Sequence, residues 1–380
     1  MVPPSLLPLL ESRRVLVCAG AGGVGKTTVA AALALGAALR GRKVLCLTID
    51  PAKRLADTLG ISALGSEPSL VEEERLRELG LEVPGSLSVL VIDTKSTFDE
   101  IVTRNAKTPE ARDRILNNRL YNYVSTSLAG TQSYMAMEKV LAVRSDPRFD
   151  LIVLDTPPTS DALDFLNAPE RLIEALDSPA MRWLVEAFST QGRFSFNVLA
   201  RGVAALLRSV GKLTGQGFLE SMAEFVSELN DLFGGFKERA RLVSRAFRGD
   251  EFAYTIIPSP AAPALAEARF FVARLHELGM RGDAVVVNRV NPGSGERPAL
   301  DEVMRALEAR GAPAELAASA LRAFDEERRQ GALDAEAIAR FEQELARISR
   351  DTPPVLQLPV LGGEVHDLAT LRLIAERLLV

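Results

Sequence analysis

Val15-Leu16-Val17-Cys18-Ala19 runs straight into Gly20-Ala21-Gly22-Gly23-Val24-Gly25-Lys26-Thr27-Thr28. Five apolar residues in a row, two of them β-branched, predict a strand buried on both faces. The glycines that follow allow the backbone to wrap, so that successive N–H groups point into one concavity. An Ala- and Leu-rich helix predicted from Lys26 to about Arg40 adds the partial positive charge of its N-terminus. Gly41 stands where that helix should stop, as a residue free to take a positive φ. Strand, G-x-x-x-x-G-K-T and helix together form a phosphate-binding loop. In it Gly20, Gly22, Gly23, Val24 and Gly25 supply the amide cradle, and Lys26 reaches the outer phosphates. The Thr27 hydroxyl ligates Mg²⁺, and Thr28 contacts the α-phosphate. The pattern points to a nucleoside triphosphate with Mg²⁺.

Working outward, further short apolar runs recur at Lys43–Ile49, Leu87–Ile92, Leu151–Leu154, Phe252–Ile257, Ala284–Asn288 and Val355–Leu358. They are continuous rather than alternating, and helical stretches separate them. That is the signature of an α/β fold, a doubly wound and mostly parallel sheet. Two intervals, about 97–143 and 169–249, carry helical patterns without a convincing strand. The expected organisation is a single P-loop domain spanning 1–380 with an inserted α-helical subdomain built from these intervals. A helical hairpin is expected at about 298–348, solvated and laid against the sheet, since charges alternate there as in Arg322-Ala323-Phe324-Asp325-Glu326-Glu327-Arg328-Arg329.

The chain of 380 residues has a net charge of −5 and no basic stripe, which argues against a nucleic acid or an anionic membrane as partner. Its two cysteines lie inside apolar runs, so neither a disulfide framework nor a zinc site is expected. His276 and His366 read as surface or packing residues. Met1–Leu10 lacks the basic start of a signal peptide, and the apolar run from Thr28 to Leu39 falls short of the ~20 residues that span a bilayer. A cytoplasmic location is expected, with any membrane involvement indirect.

Two carboxylates stand at strand ends, where ligands of open α/β sheets bind. Asp155 closes Leu151-Ile152-Val153-Leu154 and is expected to hold Mg²⁺ through water, because that ion dehydrates reluctantly. Asp50, in Thr48-Ile49-Asp50-Pro51, either orients or deprotonates an attacking water, or is a plain Asp-Pro turn. Asp57, Asp161 and Asp164 read as caps or ion-pair partners.

Together these residues resemble the deviant P-loop ATPases of the ArsA-type anion-pump and tail-anchored-protein-targeting family. Asp50-Pro51-Ala52-Lys53-Arg54-Leu55-Ala56-Asp57 is similar to that family's first switch, and Asp155-Thr156-Pro157-Pro158-Thr159 to its second, with Ala168-Pro169 similar to the helix start that follows. Val287-Asn288-Arg289 resembles the strand whose asparagine reads adenine. Leu358-Pro359-Val360-Leu361 resembles the loop that packs on the base. Ser127-Leu128-Ala129-Gly130-Thr131-Gln132 and Tyr134-Met135-Ala136-Met137-Glu138-Lys139 resemble the B-type subunit of the bacterial Bag guided-entry-like pair. The resemblance implies ATP hydrolysis with Asp50 as the water-orienting residue, Asn288, Pro359 and Val360 at the base, and a dimer that opens and closes with nucleotide. A carboxamide suits adenine independently, since it accepts from the amino group and donates to a ring nitrogen. The guanine signature is incomplete: Thr94-Lys95-Ser96-Thr97 lacks its aspartate.

One departure bears on partners. The family carries a lysine after the first glycine of the loop, reaching into the partner's site, and this chain has Ala21 there. A heterodimer with a lysine-bearing paralogue is expected. The other readings are Lys53 or Arg54, beside the first switch, substituting in cis, and a regulatory or scaffold subunit with little turnover. The family's zinc-clamping cysteine pair is also absent. Finally, Phe218, Met222, Phe225, Leu229, Leu232 and Phe236 recur at helical spacing, with Trp183, Leu184, Phe188, Phe194, Phe196 and Leu199 upstream. The stripe either packs internally or forms a groove for a hydrophobic protein client.

Overall fold

The structure is a computed structural model that describes residues 4–49, 59, 67–72, 77, 82–118, 121–122, 125, 131–179, 181–182, 235–293, 295–348, 351–361 and 368–380. Two compact units emerge: residues 1–91, 147–162 and 250–380 in the first, and 92–146 and 163–249 in the second.

The first unit is an eight-stranded sheet of order β3-β4-β2-β5-β1-β6-β7-β8. Its strands are β1 (Val15–Ala19), β2 (Lys43–Thr48), β3 (Ser69–Leu70), β4 (Ser86–Val91), β5 (Leu151–Asp155), β6 (Phe252–Ile256), β7 (Gly282–Val290) and β8 (Val355–Pro359). Every neighbouring pair is parallel except β3–β4. Each expected strand is found, and the mostly parallel α/β class with it. The addition is β3, a two-residue antiparallel edge strand too short to leave a pattern in sequence. β1, β5 and β6 are buried at every residue, which is why their sequences are continuous apolar runs.

The chain leaves β1 for β2 and β4 on one side and returns through β5. It then builds β6, β7 and β8 on the other side. The carboxyl ends of β1, β5 and β6 therefore flank the point where the winding reverses, the place such sheets bind ligands. Helix α1 (Leu7–Ser12) precedes β1, and α2 (Lys26–Ala38) follows the glycine loop. Helix α2 is almost wholly buried, packed on β1, β2 and β5 and against the last helix, Leu368–Leu378. It ends three residues before Gly41, which takes φ +89°.

In the second unit, α3 (Thr94–Asn105), α4 (Pro109–Asn117), α5 (Thr131–Arg144) and α7 (Ala168–Asp177) pack with helical residues 235–247; α6 (Thr159–Leu166) enters it at its C-terminal end. Asp93 and Thr108 cap α3 and α4 with side-chain acceptors. Buried Glu138 of α5 takes the Tyr134 hydroxyl at 2.5 Å and the Arg239 guanidinium at 2.9 Å. Burial, together with that carboxylate, pushes the Tyr134 phenol well above its usual range. Phe236 is buried beside Phe98, at 6.0 Å between ring centres, so this end of the aromatic stripe packs internally. Its other members, Phe218 to Leu232, and the group from Trp183 to Leu199 lie outside the described residues.

Beyond α8 (Ala262–Glu277), the run from 298 forms α9 (Leu300–Glu308), a short 3₁₀ turn and α10 (Ala317–Ile348), followed by β8 and α11 (Leu368–Leu378). Helix α10 packs on α8 and β7 and buries Leu321, Ile338, Phe341 and Leu345, and α9 lies against α10 with no buried residue of its own.

Candidate phosphate-binding site

Gly20 begins the site because nothing larger fits: a Cβ there would lie 2.1 Å from the Ile257 carbonyl oxygen at the exit of β6. The loop then turns through Gly23 at φ +75° and Gly25 at φ +92°, conformations that L side chains rarely adopt. Gly25 caps α2 without a side-chain acceptor, so the first amides of the helix are left for whatever enters the loop. Lys26 is 8% exposed and folds back along the loop, its Nζ donating to the Ala21 carbonyl at 2.8 Å. An ammonium held there bridges the two ends of the loop, from Lys26 to Ala21.

Asp155 closes β5 in register with Cys18 of β1 on one side and Thr48 of β2 on the other. Asp155 is 2% exposed. The Thr27 hydroxyl donates to its Oδ2 at 2.7 Å and the Thr48 hydroxyl to the same oxygen at 3.2 Å. Thr156, next in the chain, is tied down through its hydroxyl to the Cys18 carbonyl at 2.9 Å. One hydroxyl from the helix start and one buried carboxylate are thus brought together across 128 residues of sequence. This donor set fits Mg²⁺, which uses one or two protein oxygens and fills its octahedron with water and phosphate. Among the described residues no group of three or more His, Cys, Asp and Glu side chains converges, so an all-protein metal cage is not offered there.

Burial, and then the charge of Asp155, raises the Cys18 thiol far above its ordinary value; burial does the same at Cys46. Both thiols are fully enclosed. They serve as core side chains, not as nucleophiles or soft-metal ligands.

Asn288 is buried at the exit of β7, with its Nδ2 donating to the Val24 carbonyl at 2.7 Å and its Oδ1 accepting from the Arg289 amide at 2.9 Å. Pro359 ends β8. Exposed Val360 follows, its amide donating to the Val290 carbonyl at 2.9 Å. Gly22 and Thr28 sit in the loop and on α2 as the sequence places them. Asp50, Lys53, Arg54, Asp57 and His366 lie outside the described residues, as do the side chains of Thr131, Gln132 and Asp161. His276 is exposed, and Asp164 pairs with Arg171 at 2.6 Å.

Thr48 escapes a reading of sequence alone. Its signal was there: a hydroxyl residue ending an otherwise apolar strand beside Asp50. Only the strand order makes it a neighbour of Asp155.

Known proteins resemble this chain over much of its length. Residues 13–309 match the family described as anion-transporting ATPase. "ATPase GET3" of Rhodotorula glutinis is 29% identical over 242 residues, covering 61% of this chain and 61% of that protein. "ATPase ASNA1 homolog 1" of Paramecium tetraurelia is 27% identical over 238 residues, covering 61% and 60%. "Putative arsenical pump-driving ATPase" of Chlorobaculum tepidum is 25% identical over 238 residues, covering 61% and 54%. The chain therefore spans between 54% and 61% of the length of these relatives.

Proposed function

The chain belongs to the anion-transporting ATPase family, and on that premise we propose that it binds ATP with Mg²⁺, hydrolyses it, and uses the cycle to open and close a dimer that carries or regulates a protein client. The observation that carries this reading is the Thr27 hydroxyl on the Asp155 carboxylate, 2.7 Å apart, at the mouth of a glycine loop that opens a helix.

In the proposed complex the loop amides and the N-terminus of α2 grip the β- and γ-phosphates, and Lys26 leaves the Ala21 carbonyl to neutralise their charge. Thr27 and Asp155 hold the cation, Asp155 through its water shell, and the ion, when bound, draws charge from the phosphate oxygens. Asp50 orients the attacking water. Asn288 keeps one amide hydrogen and one oxygen lone pair beyond the two bonds described above, enough to read adenine, with Pro359 and Val360 against the base. Asp50→Asn should keep nucleotide binding and lose turnover; a variant that turns over normally would remove Asp50 from this role.

Ala21 shapes the partner. No cation extends from the second position of the loop, whereas a charge supplied in trans at such a site is worth ~10³–10⁵ in rate. The preferred arrangement has this chain as the B-type half of a bacterial pair, in a heterodimer with a lysine-bearing paralogue. Adding that paralogue should raise ATP turnover of the purified chain at least tenfold. Brisk turnover by the chain alone, lost in Lys53→Ala/Arg54→Ala, would favour the homodimer instead. Ala21 also supports a second reading, a nucleotide-binding regulatory subunit with little turnover, which predicts tight ATP binding and no stimulation by any paralogue.

Arsenic is a poor fit as cargo. As(III) seeks thiolates, and both cysteines of this chain are enclosed in core strands with their thiols held neutral. Among the described residues no helix is long and apolar enough to cross a membrane.

A further inference from the structure

Strand β7 does not simply end at the site. Its register against β8 shifts between Asn288 and Val290, and Arg289 between them has φ +63°, the one non-glycine positive φ among the described residues. Such a conformation is unfavourable for an L residue and persists where surrounding contacts impose it. Those contacts lie on both sides. Before the bulge, the Asn288 amide donates to the Pro258 carbonyl at 2.8 Å. After it, Asn291 donates both its backbone amide and its Nδ2 to one oxygen of Asp334, at 2.9 and 2.8 Å. Asp334 belongs to α10, is 4% exposed, and takes Gln330 Nε2 on its other oxygen at 2.9 Å. One turn earlier, Gly331 lets the strand's exit come close: a Cβ there would lie 2.5 Å from the Gly293 Cα.

The bulge turns the Asn288 side chain under the glycine loop. There Nδ2 holds the Val24 carbonyl at 2.7 Å, and it sits where a Cβ on Gly25 would come within 2.4 Å. The last two residues before Lys26 are thereby braced from below, by a group that is itself fixed from α10.

We propose that Asn288 is a positioning residue for the phosphate loop, and that Asp334 is the latch that keeps it in place. The inference rests on the loop being a phosphate site, and it adds to base reading a role that needs no base. Holding the Val24 carbonyl on Asn288 Nδ2 fixes the peptide planes around it, and with them the directions of the neighbouring amides. An unbraced loop must find that arrangement anew each time a phosphate arrives, which lowers affinity for the phosphate chain itself.

Inorganic tripolyphosphate with Mg²⁺ isolates this role, because it has phosphates and no base. Asn288→Asp keeps the acceptor for Arg289 and loses the donor for Val24. By calorimetry on the full chain it should bind tripolyphosphate about five- to tenfold more weakly than the parent, and the uncharged Asn288→Ala should lose as much, since the cause is one buried hydrogen bond and not the added carboxylate. Asp334→Ala should weaken it in the same direction, and Asp334→Asn, which can still accept from Asn291, should restore it. The double variant Asn288→Asp/Asp334→Ala should be no worse than Asn288→Asp alone to within about twofold, since the latch acts through the strut. In the ligand-free chain, amides of residues 20–27 should exchange about tenfold faster in Asn288→Asp, with β1 and β5 unchanged.

Parent-like tripolyphosphate affinity in Asn288→Asp, with ATP alone weakened, would reduce Asn288 to a base contact and overturn the proposal. Additive losses in the double variant would overturn the latch. If the parent takes up no tripolyphosphate, the phosphate reading fails instead, and the exchange comparison decides the strut: unchanged rates overturn it.

Discussion

Replacing Gly25 with alanine should damage the nucleotide site far more than the same change three residues earlier. Gly25 has φ +92° and ψ +26° as the cap of α2. An L residue forced into left-handed backbone costs about 1–2 kcal/mol. The new Cβ would also stand 2.4 Å from Asn288 Nδ2, which is bonded to the Val24 carbonyl. Asn288 must retreat, and a carbonyl left without its donor costs about 1–3 kcal/mol. The sum is about 2–5 kcal/mol. It falls on stability if the loop keeps its shape, and on affinity if the loop relaxes and must be rebuilt by the ligand. Gly22 has nothing within 4 Å of a built Cβ and is not among the positive-φ glycines, so Gly22→Ala should stay within about 0.5 kcal/mol of the parent. Urea unfolding and calorimetric titration with Mg-ATP, run on both variants, measure the two shares. A combined loss in Gly25→Ala of about 3 kcal/mol corresponds to about a hundredfold in affinity if all of it appears there. Matching values for the two variants in both assays would refute this account of the loop.

Thr27→Val removes the hydroxyl that meets Asp155. ATP affinity with Mg²⁺ should fall about tenfold or more while affinity in excess chelator stays at the parent's value; a loss that survives chelation would mean the hydroxyl serves something other than the ion. Cys18 and Cys46 should resist thiol reagents at pH 8 in the native chain and react fully in guanidinium, whereas fast native labelling would contradict their enclosure. Their folded pKa values are raised above the unfolded ones, so their contribution is intact below about pH 8.5 and is lost as pH rises past it, because the unfolded chain then binds fewer protons. The urea midpoint should therefore fall between pH 8 and 10, and fall less in Cys18→Ala/Cys46→Ala. Gly36→Leu should destabilise the first unit by about 1–3 kcal/mol, because even a Cβ there lies 2.5 Å from Leu379 Cδ1 where α2 meets α11; an unchanged urea midpoint would show that α11 yields freely.

The sheet was legible because a strand covered on both faces must be apolar at each position, and β1, β5 and β6 are. β3 carries no such constraint at two residues on an edge. The glycine loop could be read because its chemistry is local in sequence: the cradle, Lys26 and Thr27 are consecutive. Asp155 was reachable as a carboxylate ending a buried strand. Thr48 was not, because its value comes from β2 lying beside β5, a fact of topology. The same reason hides the hold of Asn288 on Val24, a contact across 264 residues. Asp334 was masked by its setting: alternating charge along α10 reads as a solvated face, yet Asp334, Ile338, Phe341 and Leu345 form a buried stripe.

The claim beneath all of this is that the loop from Gly20 to Thr27 holds the phosphates of a nucleotide. Calorimetric titration of the purified chain with Mg-ATP, beside Lys26→Ala, tests it most directly. The parent should show one saturable site per chain, and the variant should lose it. Equal ATP affinity in the two proteins would contradict it.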